Sequence, residues 1–174
     1  MPDKKSCVQV YTGNGKGKTT AAIGISIRCA GAGFSVYFGQ FLKDGNYSES
    51  ESLKLFGDSI KHETFGHGGF IRGEPSDEDR RTARNGFEKI REAALSGRYR
   101  LVVADEINVA VSKGLVSADE VLELMRTLPE SVELVLTGRY ASEEIIAAAD
   151  LVTEMCEIKH YYSHGIPARK GIEK

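Results

Sequence analysis

The chain has 174 residues, with 23 Lys and Arg against 25 Asp and Glu and a formal net charge of -2. That balance lacks the basic excess of a nucleic-acid binder, no apolar run is long enough to span a bilayer, and 41% hydrophobic with 28% charged content is ordinary for a globular domain with one core. Cys7, Cys29 and Cys156 are odd in number and widely spaced, which argues against a disulfide framework and for a reducing cytoplasm.

Strand-like and helix-like segments alternate along the chain. Residues 8–11 (VQVY) read as a short buried strand that runs into a glycine-rich turn. Residues 19–32, rich in Ala and Ile, read as the following helix, stopped by Gly31 and Gly33. A second strand is expected over 34–41, a short helix over 48–56 and an alternating strand over 60–65. Residues 66–75 hold four glycines and a proline and read as a loop. A long helix follows over 76–95: Ser76 caps it, Asp77, Glu78 and Asp79 complement its dipole, and Ala83, Phe87, Ile90 and Ala94 share one face. Its basic residues, Arg80, Arg81, Arg84, Lys89 and Arg91, are interleaved with acids and read as a solvated face. Residues 101–104 form an apolar strand ending at Asp105 and Glu106. Ser117 and Glu120 make a capping box for a helix to about 128. Residues 132–137 read as a strand, 142–149 as a short helix and 151–155 as the last strand. The tail, 157–174, is basic and has no strong periodicity.

Apolar strands alternating with helices predict an α/β fold with a mostly parallel sheet covered on both faces. With no internal repeat or linker, residues 1–174 read as a single nucleotide-binding domain. Ligands of such sheets bind outside the carboxyl ends of the strands. Residues 12–20, Asp105 with Glu106, and Thr137 to Arg139 all fall there.

The loop after the first strand reads Thr12-Gly13-Asn14-Gly15-Lys16-Gly17-Lys18-Thr19-Thr20. Its glycines let successive backbone N–H groups turn toward phosphate oxygens, and the helix that follows adds positive potential. Lys18 is placed to reach terminal phosphates and the Thr19 hydroxyl to ligate Mg²⁺, as in a P-loop that binds ATP. The general pattern has its first glycine at the position of Thr12; here it sits at Gly13. Lys16 is balanced between a phosphate contact and a solvated loop lysine.

The second element is Leu101-Val102-Val103-Ala104-Asp105-Glu106, an apolar strand that delivers two carboxylates where Mg²⁺ needs hard oxygen ligands. Which of the two ligates directly is left open, and a second acid that activates water keeps ATP hydrolysis as a rival reading. Arg139, after the strand at 132–137, is a candidate clamp for phosphate or for ligand carbonyl groups, with a surface arginine in a turn as the alternative. Phe70, an aromatic in a glycine-rich loop, is a candidate cover for a flat ligand, with ordinary packing as the alternative. Cys156, His160 and His164 offer three ligands where structural zinc usually takes four, and His62 and His67 read as solvated or hydrogen-bonded histidines.

Four blocks make the chain resemble the P-loop corrinoid adenosyltransferases of the ATP:cob(I)alamin type: TGNGKGKTTAA at 12–22, LVVADEINVA at 101–110, ELVLTGR at 133–139 with AADLVTEM at 148–155, and KHYYSHGIPARKGIEK at 159–174. They reach from near the first residue to the last. The resemblance implies a RecA-like fold, a homodimer, and an electron-donating reductase or flavodoxin-like partner. It implies that cobalt(I) of a reduced corrinoid attacks the ribose 5′ carbon of ATP and that triphosphate leaves. By position, Gly13 to Thr20 (Gly13, Asn14, Gly15, Lys16, Gly17, Lys18, Thr19, Thr20) hold the triphosphate. Lys18 and a Mg²⁺ held by Thr19 and Glu106, with Asp105 nearby, neutralise the leaving group. Phe70 matches an aromatic position that in relatives packs beneath the corrin, and Arg72 stands where relatives often carry a second aromatic. A conventional P-loop ATPase or kinase, and a nucleotide-dependent corrinoid-binding module, are the competing readings.

Overall fold

The computed structural model describes residues 6–67 and 73–173. Six strands form one sheet in the order β3-β2-β4-β5-β1-β6, and every pairing is parallel. They are β1 (Val8–Thr12), β2 (Val36–Phe41), β3 (Ile60–Phe65), β4 (Leu101–Asp105), β5 (Glu133–Thr137) and β6 (Leu151–Glu154). The helices between them are α1 (Lys18–Gly31), α2 (Ser48–Lys54), α3 (Asp77–Leu95), α4 (Ile107–Ser112), α5 (Ala118–Thr127) and α6 (Glu143–Ala148). Parallel strands need crossover connections, and the helices that supply them cover both faces.

The apolar side chains therefore divide into two layers. On one face Val102 and Ala104 of β4 pack with Phe87, Ile90 and Ala94 of α3 and with residues of α4, α5 and α6. On the other, Leu101 and Val103 meet Ala22 of α1 and Leu53 of α2. Both clusters draw on β4 by alternation, which is why its five residues are all buried. The opposite extreme is β6, an edge strand whose four residues are all exposed. Among the described residues no helix is long and apolar enough to cross a membrane.

Local signals account for most boundaries. Ser76 and Asp79 close a capping box on α3, and Ser117 and Glu120 one on α5. Three of the five basic residues of α3 are paired with acids: Arg84 with Glu120, Lys89 with Glu63 and Arg91 with Glu88. The second strand begins later than its sequence predicts. The Phe34 N–H still donates to the Cys29 carbonyl at 3.2 Å, so that residue belongs to the closing turn of α1. α2 ends at Lys54 rather than 56, giving way to a 3₁₀ turn, Gly57–Ser59. α4 is absent from the sequence reading because six mostly apolar residues, INVAVS, directly after a strand carry no periodicity that separates them from it.

Gly86 shows how closely α3 lies on the sheet: an added Cβ would stand 2.5 Å from a ring carbon of Phe65. Gly86→Ala should gain about 1 kcal/mol of helix propensity but cost about 1–3 kcal/mol by overpacking. A net fall in the urea midpoint with an unchanged m-value is the expected outcome; a rise would mean that the helix can lift without penalty.

Candidate functional site

The strand order places the site. β5 lies between β1, which feeds the glycine-rich loop, and β4, which carries the acids. Gln40 stands opposite Asp105, and Ala104 opposite Leu136, so Asp105 and Thr137 end adjacent strands. The fully buried Asp105 carboxylate accepts from Thr19 Oγ1 at 2.9 Å, Gln40 Nε2 at 3.0 Å, Lys43 Nζ at 3.2 Å and Thr137 Oγ1 at 2.6 Å. A buried charge is tolerable only when paired and hydrogen-bonded, and Asp105 is both. His62 extends the chain: its Nε2 lies 2.7 Å from Gln40 Oε1, whose amide already donates to Asp105. The ring therefore serves as donor, and burial holds its pKa below the ordinary value.

The glycine-rich loop is shaped by its neighbour as well as by its own freedom. Gly15 N–H donates to the Met155 carbonyl at 2.6 Å. A Cβ on Gly13 or Gly15 would stand 2.5 or 2.7 Å from that same oxygen. The chain after β6 thus passes directly against the loop, and any side chain at these two positions would collide with backbone. Lys18 folds back so that Nζ donates to the carbonyls of Gly13 at 2.7 Å and Gly15 at 2.8 Å. Burial lowers its pKa, opposed by the charge of Glu106.

Glu106 begins α4 from a left-handed conformation, φ 63, which costs an L-residue roughly 1–2 kcal/mol. Its backbone N–H is held by Thr137 Oγ1 at 2.9 Å. Burial, and then the charge of Asp105, raise its carboxyl pKa. Glu106, Lys18, Thr19 and Arg139 open on one cleft of about 880 Å³, toward the upper end of the roughly 300–1,000 Å³ usual for small-molecule sites. Gly15, Lys16, Gly17 and Thr20 line it too. Asn14 is exposed, Gly13 half-buried, and Asp105 lies beneath the cleft floor. Phe70 and Arg72 are outside the described residues.

Two groups at the site lie outside the site residues expected from the sequence. Lys43, just beyond β2, contacts both Asp105 and Glu49. Burial works against its charge, yet the two carboxylates prevail and hold its pKa above the ordinary value. The available signal was Gln40, a polar residue inside an otherwise apolar strand, with a lysine three positions on. The tail is the other. His160, Gly171, Ile172 and Glu173 line the cleft, and Lys16 Nζ donates to the Ile172 carbonyl at 3.2 Å. Tyr161 and Arg169 both grip Glu173. These hydrogen bonds pull its carboxyl down to about 2, Arg169 first and Tyr161 next. His160 caps the 3₁₀ turn Tyr161–His164 by accepting from Tyr162 N–H at 3.0 Å.

The family model for ATP:corrinoid adenosyltransferase BtuR/CobO/CobP matches residues 4–173. A corrinoid adenosyltransferase of Sinorhizobium sp is 36% identical over 98% of this chain and 81% of its own length. One from Pseudomonas aeruginosa is 33% identical over 98% and 85%, and corrinoid adenosyltransferase CobA of Salmonella typhimurium 28% over 98% and 87%. Among solved structures, a KaiC-like protein of Pyrococcus horikoshii superposes with a TM-score of 0.54 at 20% identity, over 88% of this chain and 74% of that one. That likeness bears on the fold, a RecA-type P-loop α/β sheet.

The His62 contact has a pH signature. The folded ring resists a proton that the unfolded ring accepts at its ordinary pKa. Its contribution is thus complete above about pH 6.5 and is lost as pH falls through the folded value. Between about pH 7.5 and 5.5 the urea midpoint should fall more in the wild type than in His62→Gln; equal falls would remove His62 from the network's stability.

Proposed function

Because the chain belongs to the ATP:corrinoid adenosyltransferase family, we propose that its P-loop cleft grips the triphosphate of ATP and presents the ribose 5′ carbon to cobalt(I) of a reduced corrinoid. The reaction class is that of the family: the adenosyl group of ATP passes to a corrinoid. In the step proposed, the cobalt(I) electron pair forms the cobalt–carbon bond while the carbon–oxygen bond breaks, and triphosphate leaves with that bond's electrons.

The observation that carries this reading is the convergence of Lys18, Thr19, Glu106 and Arg139 on one cleft above a buried, fully partnered Asp105. No protein nucleophile is required, so the chain's work is positioning and charge stabilisation. Lys18 exchanges the carbonyls of Gly13 and Gly15 for phosphate oxygens. The N–H groups of the loop other than that of Gly15, which the Met155 carbonyl holds, and the start of α1 receive the remaining phosphate charge. Arg139 supplies a second cationic contact from the carboxyl end of the neighbouring strand β5. The hydroxyl of Thr19 and the carboxylates of Glu106 and Asp105 are hard oxygen donors that suit Mg²⁺, with Thr19 Oγ1 already 2.9 Å from Asp105. Thr19 and Glu106 would hold the ion, with Asp105 fixing Thr19 from behind, and the ion would supply positive charge to the leaving oxygens. Phe70 is proposed to cover the lower face of the corrin.

The whole chain acts as one nucleotide-binding domain under this proposal, as a homodimer supplied with electrons by a reductase or flavodoxin-like protein. A cytoplasmic setting agrees with an odd number of widely spaced cysteines. A conventional ATPase or kinase is not favoured, since it assigns no role to the tail residues that line the cleft.

Anaerobic incubation with ATP, Mg²⁺ and chemically reduced cob(I)alamin should yield a light-sensitive cobalt–carbon product in step with triphosphate. Orthophosphate released regardless of corrinoid would instead identify a hydrolase. Lys18→Ala should lower transfer by about 10²–10³-fold or more with an unchanged circular dichroism spectrum; a fully active variant would take the P-loop out of the mechanism. Phe70→Ala should slow turnover several-fold when cob(II)alamin must be reduced on the enzyme, and far less when cob(I)alamin is supplied. Equal slowing in both assays would discredit the lower-face role.

A further inference from the structure

The cleft wall carries a cation that the P-loop does not supply. The Lys43 side chain is 13% exposed, with Nζ 3.2 Å from Asp105 Oδ2 and 3.1 Å from Glu49 Oε1. It also lies 5.0 Å from the centre of the Tyr47 ring, and all but the buried Asp105 line the same cleft as Lys18 and Glu106. Its position is built into the backbone. Leu42, immediately before it, adopts φ 61, a conformation that a branched L-residue avoids. The Leu42 N–H is closed onto the Phe65 carbonyl at 2.9 Å. Gly66 crosses so near that an added Cβ would stand 2.5 Å from Lys43 N and 2.6 Å from Leu42 C. A left-handed leucine, a closing hydrogen bond and a glycine crossing together turn the chain back at the end of β2. Such local strain persists only where the surroundings over-determine it.

The lysine occupies a carboxylate that has another claimant. Asp105 Oδ2 accepts from Lys43 at 3.2 Å, from Gln40 at 3.0 Å and from Thr19 at 3.2 Å. A divalent cation that enters beside Thr19 therefore meets an ammonium already neutralising the same oxygen, and like charges at such range repel strongly in a partly buried site. Glu49 offers the ammonium a second anchor on the cleft wall, so it need not leave the cleft when it yields Asp105. The triphosphate of ATP would then be a third anion within reach, and one whose charge exceeds that of either carboxylate.

We infer that Lys43 is an exchangeable counter-ion: it competes with the divalent cation for Asp105 and turns its ammonium to the polyphosphate when cation and nucleotide enter together. The inference rests on the cation site proposed at Thr19, Glu106 and Asp105. Its consequence is order of loading: Lys43 disfavours the cation alone and favours the cation–nucleotide pair, so the site stays charge-balanced before and after.

Titration calorimetry on the nucleotide-free protein tests this, first with Mg²⁺ alone and then with inorganic triphosphate at saturating Mg²⁺. In Lys43→Met, Asp105 keeps the donors of Thr19, Gln40 and Thr137. Lys43→Gln, which can still hydrogen-bond to Asp105, gives the same readout if the Met variant folds poorly. Both variants should bind Mg²⁺ about ten-fold more tightly than wild type and triphosphate about five-fold or more less tightly. Unchanged or weakened Mg²⁺ binding, or unchanged triphosphate binding, overturns the inference. Thr19→Ala separates the two layers. If it leaves Mg²⁺ affinity intact, the cation site itself is misassigned; if it weakens Mg²⁺ while the Lys43 variants match wild type, only the role of Lys43 is lost.

Discussion

The site depends on one carboxylate buried beneath its floor. Asp105 sits at the end of a strand buried along its whole length and collects donors from the start of α1, from β2, from the turn after β2 and from β5. Four segments of chain are thereby tied to one pair of oxygens. Partial satisfaction of such a network would be costly, because an unpaired charge at zero exposure has no water to turn to. Complete satisfaction makes it a positioning device. Thr19 and Lys43 cannot drift far from Asp105, and Thr137 in turn holds the left-handed backbone of Glu106.

A second constraint couples the phosphate loop to the sheet edge. Gly13 and Gly15 lie against the Met155 carbonyl, so the shape of the loop is set partly by the segment that follows β6. That segment leads into the tail, which returns over the cleft and meets Lys16 at Ile172. The exposed edge strand thus has a functional reason to remain paired with β1: it carries the wall against which the loop is moulded. The glycine at position 13, in place of the usual residue 12, is the one whose Cβ would strike Met155 most closely. The chain's departure from the general P-loop pattern therefore has a packing explanation within this fold, alongside any consequence for how phosphate is held.

The charges of the cleft are nearly balanced by neighbours rather than by solvent. Lys18 rests on backbone carbonyls, Lys43 on two carboxylates, and Glu173 on Arg169 and Tyr161. A polyanion entering such a site exchanges one set of partners for another instead of stripping groups from water. This limits the reorganisation needed when the leaving triphosphate gathers charge.

Much of this was legible in the residues alone. A glycine-rich loop ending in Gly-Lys-Thr between a strand and a helix, and an apolar strand ending in two acids, are local patterns whose chemistry follows from spacing. Capping boxes at Ser76 and Ser117 and the alternating apolar strands likewise announce the α/β sheet without any tertiary information. Position in the sheet decided the rest. Lys43 belongs to no pattern, because its partners Asp105 and Glu49 lie 62 and 6 residues away and meet it only through strand order and the turn at Leu42. α4 and the folded tail were hidden because short apolar or aperiodic segments take their form from what they pack against, not from their own propensity. The sequence determined which groups could hold a polyphosphate and a hard cation. Only the parallel register, which sets Gln40, Asp105 and Thr137 side by side, decided that the second carboxylate would face the cleft while the first became its buried foundation.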